Sequence, residues 1–459
     1  MPVTIIGKDA SSSSGISSAL QQVTLNSVRK ILPDAVIERA ARHCGHTYRS
    51  RVLSPVVTVL HMILASLWPE ESFQASLQLL WDNFVGAFPT LQRRSPSSGS
   101  LAKARARLPV GLWDRINESL ADKAQVLSEP WAAWRSHRVV LVDGTCVSMP
   151  DTPALHDCFG TSTGRGGTRH YPLARMVTLS LANTMSVLSY AMGRYRHSEQ
   201  ALLRPLLKGL RRGDLLIGDR HFAGANLYAE YLACGLHFLT RAHQMLNISR
   251  LRRIKGYGRE DFVTDLLVNK AYRRQNPTLP KSVRVRVIQA TIRTRGRREV
   301  MWFVTSLLDD KAYPSGKIVE LYARRWRIET LLLQLKRRLS VDVLRSKTPD
   351  GVRKEMASCI AALNIVRAIM LESATANDTD PIGLSFTGAL RAILAFAPVL
   401  ATSPPWKLPA IYDAMLREIA SCRVRPRPCR HEPRAVRREW KHYPKLKTTR
   451  AEWTRQWAA

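Results

Sequence analysis

Acidic residues are scarce. The 459-residue chain carries 36 Asp and Glu against 70 Lys and Arg, a formal net charge of +34. Self-repulsion on that scale argues against a chain that works without a polyanion. Nucleic acid is the simplest partner, bound with a strong salt dependence. Arginine dominates the cations, which suits bidentate contacts to phosphate. Cysteine is also sparse: the seven are Cys44, Cys146, Cys158, Cys234, Cys359, Cys422 and Cys429. Their odd number and scatter exclude a disulfide framework and fit a reducing compartment. Neither His43, Cys44 and His46 nor Cys422, Cys429 and His431 supply four zinc ligands at finger spacing. Met1 to Gly15 lacks the basic start and apolar core of a leader. The apolar run Pro55 to Trp68 is too short to span a bilayer and contains His61. We therefore expect a soluble, cytoplasmic protein with no membrane partner, and no internal repeat is evident.

What is present is ordinary globular material, 45% hydrophobic, with room for two to four domains. Residues 1 to about 25 are Ser-rich and read as a mobile start. The pattern is then helical, giving an all-α N-terminal segment over 1–130. Within it, Ser95 to Pro109 opens on cap residues and runs into a helix carrying Lys103, Arg105 and Arg107. A Ser-capped helix followed by cations suits a DNA backbone or groove, and a solvated helix face is the alternative. From about 131 the order is three strands, helix, strand, helix, strand, which describes a mixed sheet flanked by helices. Residues 242–299 are basic and turn-rich. Val283 to Arg293 begins as an exposed strand by its period of two, so this stretch reads as a β-rich insertion. Residues 300–400 return to the core, and 401–459 form a basic tail.

Three acids stand out. His137 to Asp143 and Asp214 to Asp219 are apolar runs, each closed by an aspartate, and read as buried strands. Between Lys317 and Leu339, Tyr322, Arg325, Glu329 and Lys336 are spaced Y-x2-R-x3-E-x6-K. On a continuous helix these four fall within an arc of roughly 60°. Leu332 and Leu333 flank that arc, so the face is expected to pack inward and to bury Glu329. A buried carboxylate is costly unless it is neutralised. Asp143, Asp219 and Glu329 together suit metal-assisted phosphoryl transfer, since carboxylates are the ligands Mg²⁺ or Mn²⁺ prefers. Asp151 suits a turn, and Asp214 opens its strand at the end opposite Asp219. Glu355, on the next helix, is a candidate for steadying a cation from behind.

At these residues the sequence resembles the insertion-sequence-4 family of DDE transposases. The block Asp143 to Pro153, the block Gly213 to Phe222 and the Tyr-Arg-Glu-Lys spacing carry the likeness, with softer similarity from about Arg51 to about Ser373. The resemblance implies an α/β, RNase H-like catalytic core interrupted by a β-rich insertion. It implies that Asp143, Asp219 and Glu329 hold two Mg²⁺ ions, with Mn²⁺ able to substitute. It further implies that Tyr322, Arg325 and Lys336 contact phosphates of double-stranded DNA, and that Trp302 or Trp326 steadies a flipped base. A homodimer that cuts transposon ends and joins them to target DNA, with or without hairpin ends, would follow. An RNase H-like nuclease without strand joining is disfavoured by the Tyr-Arg-Glu-Lys helix. A derived DNA-binding protein without activity is disfavoured by the three intact acids.

Overall fold

The computed structural model describes residues 26–48, 53–69, 72–78, 95–163, 169–258, 260–294, 297–424 and 455. The Ser-rich start and residues 425–454 and 456–459, with Cys429 and His431, lie outside the described residues. The opening of the expected basic tail is instead a packed helix, Leu408–Ser421, with Met415, Leu416 and Ile419 buried. Met1–Thr291 with Val300–Arg425 form one compact unit, and Ile292–Glu299 with Pro426–Ala459 form a second. All candidate site residues belong to the first.

Three of the helices that precede the sheet are Pro55–Leu67 (α1), Ser98–Arg107 (α2) and Val110–Ala132 (α3). The Ser54 hydroxyl accepts the Val57 N–H ahead of α1, and the Ser97 hydroxyl accepts the Ser100 N–H ahead of α2. Both caps satisfy amides that a helix start leaves unpaired. Every residue of α1 is buried, because α1 and α3 both pack on the long helix Pro349–Ala376 described below.

Then come β1 (Ala133–Trp134), β2 (His137–Ser148), β3 (Thr161–Thr163), β4 (Arg169–Leu181) and β5 (Val187–Arg194). Helix α4 (Glu199–Leu207), β6 (Leu215–Gly218), α5 (Ala225–Ala233) and β7 (His237–Arg241) complete the sequence-predicted order. Strand β2 pairs antiparallel with β4 and parallel with β6; β4 pairs antiparallel with β5, and β6 parallel with β7. The resulting order β5-β4-β2-β6-β7, two antiparallel steps and then two parallel ones, is the RNase H-like arrangement. Alternation of side chains along each strand gives the sheet two faces. Val140, Val142, Val177, Leu179, Leu216 and Phe238 lie in one core with residues of α4 and α5.

The insertion is β-rich, and it extends this sheet. Strands β8 (Lys255–Gly258), β9 (Asp261–Leu267), β10 (Ser282–Thr294) and β11 (Arg297–Thr305) follow β7 in the order β7-β11-β10-β9-β8. The join is the antiparallel pairing of β11 with β7, Phe303 opposite Arg241.

The chain then enters α6 (Ser315–Tyr322), a single 3-10 turn over Ala323–Arg325, and α7 (Trp326–Arg338). Sequence periodicity predicts one continuous helix here, and the structure breaks it. Helix α8 (Pro349–Ala376) follows. Among the described residues it is the one helix long and apolar enough to cross a membrane, yet 94% of its apolar window is buried inside the fold.

Candidate active site

Strands β2 and β6 are in parallel register, with Leu141 opposite Ile217. Two more residues along each strand bring Asp143 level with Asp219 on the same face, on strands about 4.8 Å apart. Strand β2 does not stop at Asp143, as the apolar run suggests, but continues to Ser148. Strand β6 does stop, at Gly218. A Cβ on Gly218 would lie 2.9 Å from both Phe222 Cβ and Val142 Cγ1, so glycine permits the tight exit. Asp219 then caps a 3-10 turn, its Oδ1 accepting the His221 N–H at 2.8 Å. Its Oδ2 lies 3.0 Å from His221 Nδ1. Asp143 Oδ1 accepts the Gly144 N–H at 2.8 Å.

The third acid comes from α7, which packs against β2. Residues i and i+3 eclipse in a 3-10 turn, and the Arg325 guanidinium sits 6.0 Å from the Tyr322 ring centre. Arg325 Nη2 donates to Glu329 Oε1 at 2.8 Å, and its Nη1 lies 3.9 Å from Asp143 Oδ2. The guanidinium is 10% exposed and lies between the two carboxylates. Burial opposes its charge, but Tyr322, Glu329 and Asp143 together outweigh burial and hold its pKa above the usual value. Burial also pushes the Tyr322 phenol up to about 12, keeping it a neutral hydroxyl. Glu329 is not buried as the helix arc suggests; its side chain is 41% exposed. Leu332 is buried, but Leu333 faces outward. Glu329, Leu332 and Leu333 share the one helix α7, which turns its Leu332 side inward and its Leu333 side outward, so Glu329 lies between them at the rim.

Asp143 is pushed up to about 6, first by burial and further by the charges of Asp219 and Glu329; the Gly144 N–H and Arg325 pull it back. The three acids are therefore electrostatic neighbours, carrying more negative charge than Arg325 offsets. As placed they are not a closed ligand set: among the described residues no three His, Cys, Asp or Glu side chains are gathered to hold a metal. In donor chemistry the set fits a hard divalent cation, which would take over the neutralising role Arg325 has here. A carboxyl whose folded pKa is raised adds stability below its unfolded pKa and loses it as pH rises through the folded one. In EDTA, wild-type stability should thus fall relative to Asp143→Asn between about pH 4 and about 6, by at most about 3 kcal/mol. Urea midpoints of both proteins across that range check this.

The other sequence-predicted residues divide. Lys336 lies on α7, 3.6 Å from Asp342. Trp326 is 54% exposed with Arg325 4.7 Å from its ring, whereas Trp302 packs on Phe262 in the core. Lys103 and Arg107 are exposed on α2, while Arg105 turns in to stack on Phe73 at 3.5 Å. Asp214 is buried against Arg138 at the far end of β6, and Asp151 pairs with His156. Glu355 accepts the Arg345 and Ser346 N–H groups, which anchors a loop. Sequence reading draws nothing from His221, which the structure sets against Asp219. It missed Glu199, which presses on the strand because Gly144 has no Cβ. A Cβ there would sit 2.4 Å from Glu199 Cδ.

The family model described as "Transposase DDE domain" matches residues 134–365. That span begins in β1, ends in α8 and includes all three acids. The chain belongs to the DDE transposase family. Its kinship is with the insertion-sequence-4 group. It is similar to transposase InsG for insertion sequence element IS4 of Escherichia coli (strain K12), with 26% identity over 324 residues, 68% of this chain and 71% of InsG. Its fold is also similar to that in a cryo-EM structure of the piggyBac transposase synaptic complex with hairpin DNA. The TM-score is 0.42 at 10% identity, over 88% of this chain and 85% of that one. The blocks that carry the resemblance in sequence, around Asp143, Asp219 and Glu329, are thus the blocks this transposase folds into one neighbourhood.

Proposed function

We propose that this transposase cuts double-stranded DNA at the terminal inverted repeats of an insertion sequence and joins the freed ends to target DNA. The observation that carries the reading is the electrostatic convergence of Asp219, Glu329 and Arg325 on Asp143 in a chain of net charge +34. Asp143, Asp219 and Glu329 would hold the divalent ions, two Mg²⁺ with Mn²⁺ as a substitute. When bound, such ions supply an activated water and neutralise charge developing on the phosphodiester. The chain's own contribution is to bring two strand aspartates level and to swing the third acid in from α7. Arg325 steadies the acids in the free protein and passes to a DNA phosphate in the complex. Tyr322 contributes a neutral hydroxyl to the same phosphates, and Trp326 offers an open ring face to an unstacked base.

Exposed Lys103 and Arg107 on α2 extend the interface, so the helical segment 1–130 holds DNA while the core reacts. Two copies meet when the element's two ends are paired, in the cytoplasm and on chromosomal DNA. Hairpin ends are an available variant of the joining step.

The test is to incubate the full-length protein with labelled duplex ends and Mg²⁺ and to follow nicked, hairpin and joined products. A protein that binds ends but forms none of these products would contradict the reading. Lys336 gives a second check. Its replacement by Ala should lower end affinity and reduce the slope of log K against log salt by about 0.9, one phosphate's share. Identical salt lines for the two proteins would leave Lys336 as a partner of Asp342 alone.

A further inference from the structure

Away from the three acids, α2 and the loop that leads into α8 enclose a cavity of about 800 Å³ walled by Phe73, Arg105, Arg345, Lys347, Thr348 and Lys354. We propose that this cavity is a phosphodiester-binding site for the DNA backbone lying beyond the reacting bond, a proposal that rests on the DNA-cutting reading above.

The wall is built from like charges held together. The Arg105 guanidinium lies 3.5 Å from the centre of the Phe73 ring, and that of Arg345 lies 4.1 Å from the same centre. Two cations on one ring attract it and repel each other. Burial pushes Arg105 down to about 10; Glu355 pulls it back and Arg345 pushes it further. Arg105 Nε is buried and has no hydrogen-bond partner among the described residues. Lys354 brings a third cation, its Nζ donating to the Arg105 and Ala106 carbonyls at 3.3 and 2.9 Å and tying α2 to α8. Lys347 adds a fourth, exposed and without an ion pair among the described residues.

Two acids, Glu355 and Asp350, offset only part of the charge of these four cations. Glu355 is committed to the Arg345 and Ser346 N–H groups and to Arg345 Nε at 3.4 Å, and Asp350 pairs with Arg353 at 3.2 Å. Convergent cations in a cavity larger than a lone phosphate needs call for an anion on a polymer.

The cavity's position ties it to the strand of the proposed DNA-cutting site. Ser148 ends β2, five residues after Asp143. Its N–H donates to the Asp342 carbonyl at 3.0 Å, and its carbonyl accepts the Leu344 N–H at 2.9 Å. The segment that carries Arg345 and Lys347 is therefore stitched to the strand that carries Asp143. An extended strand covers about 16 Å over that interval, roughly five nucleotide steps of duplex rise. Lys336, beside Asp342, lies on the way.

The test uses the full-length protein and a labelled duplex across a salt series. Lys347→Ala and Arg345→Ala should each weaken binding by about threefold to tenfold and reduce the salt slope by about 0.9. Arg345→Ala removes a stacking partner of Phe73, so Lys347→Ala, which removes only an exposed side chain, carries the conclusion if the first variant misfolds. Salt lines for Lys347→Ala that superimpose on those of a binding-competent wild type would overturn the site and leave the cutting reading standing. A wild type that binds no duplex at low salt would overturn that reading and this one together. Inorganic phosphate is titrated in parallel without DNA. Saturable phosphate binding that Lys347→Ala abolishes, with DNA binding unchanged, would make the cavity a free-anion site and overturn the proposal.

Discussion

Asp143→Asn, Asp219→Asn and Glu329→Gln should each slow end cleavage in Mg²⁺ by about a thousandfold or more. Each change keeps shape and removes one charged ligand, so the cation loses an oxygen donor while the sheet keeps its packing. End binding should change little, because affinity for duplex DNA comes mainly from cations on phosphates. Asp143→Asn should also unfold no earlier than wild type. Asp143 is pushed up by burial and by Asp219 and Glu329, so removing one charge from the group relieves repulsion. That pairing of lost chemistry with unharmed stability separates a catalytic role from a structural one. A variant that cuts at the wild-type rate leaves the catalytic set. A variant that loses cleavage only because it unfolds shows that its carboxylate holds the fold.

The second large effect lies far from the acids in sequence. Arg286→Ala should destabilise the protein by about 3–5 kcal/mol, the cost of leaving a buried charge without its partner. The Arg286 side chain is 1% exposed. Its Nε donates to Asp261 Oδ1 at 2.7 Å, and its Nη1 to the Tyr313 carbonyl at 2.7 Å. It thus ties β9 and β10 to the segment just ahead of α6, which leads into Tyr322 and Glu329. Its loss should lower the urea midpoint and, at temperatures where the variant still folds, loosen the placement of α7. Replacing Arg286 and Asp261 together by apolar residues should restore much of the stability, since no buried charge is then left alone. A single variant within about 0.5 kcal/mol of wild type would make Arg286 a bystander.

Arg286 also marks where sequence reading stops. The alternation Val283, Arg284, Val285, Arg286, Val287 reads as one apolar face and one solvated face. Arg284 obeys it, exposed and paired with Asp265. Arg286 does not, because the segment around Asp309 and Tyr313 covers that face and supplies carbonyl acceptors. No local period can report a cover that arrives more than twenty residues later. The core strands were legible for the opposite reason. Val139 to Val142 and Leu215 to Ile217 are buried on both sides, so their apolar runs are unbroken. Their register was not legible, yet it is the register that sets Asp143 level with Asp219.

The helix from Lys317 to Leu339 was half legible. Its helical character and the spacing of Tyr322, Arg325, Glu329 and Lys336 are readable in the sequence. The 3-10 turn at Ala323–Arg325 is not, since nothing in Ala-Arg-Arg forbids an α-helix there. Arg325, at the end of that turn, lies between Asp143 and Glu329. The insertion was recognised by composition, whereas its merger with the core sheet depends on the pairing of β11 with β7.

The central claim is that Asp143, Asp219 and Glu329 serve one divalent-cation site. Equilibrium Mn²⁺ binding to the full-length protein, followed by the loss of the free-ion paramagnetic resonance signal, tests it without relying on cleavage. Wild type should bind Mn²⁺ saturably, and Asp143→Asn, Asp219→Asn and Glu329→Gln should each weaken that binding by about tenfold or more. Wild-type affinity and stoichiometry in any one of the three variants would contradict the shared site.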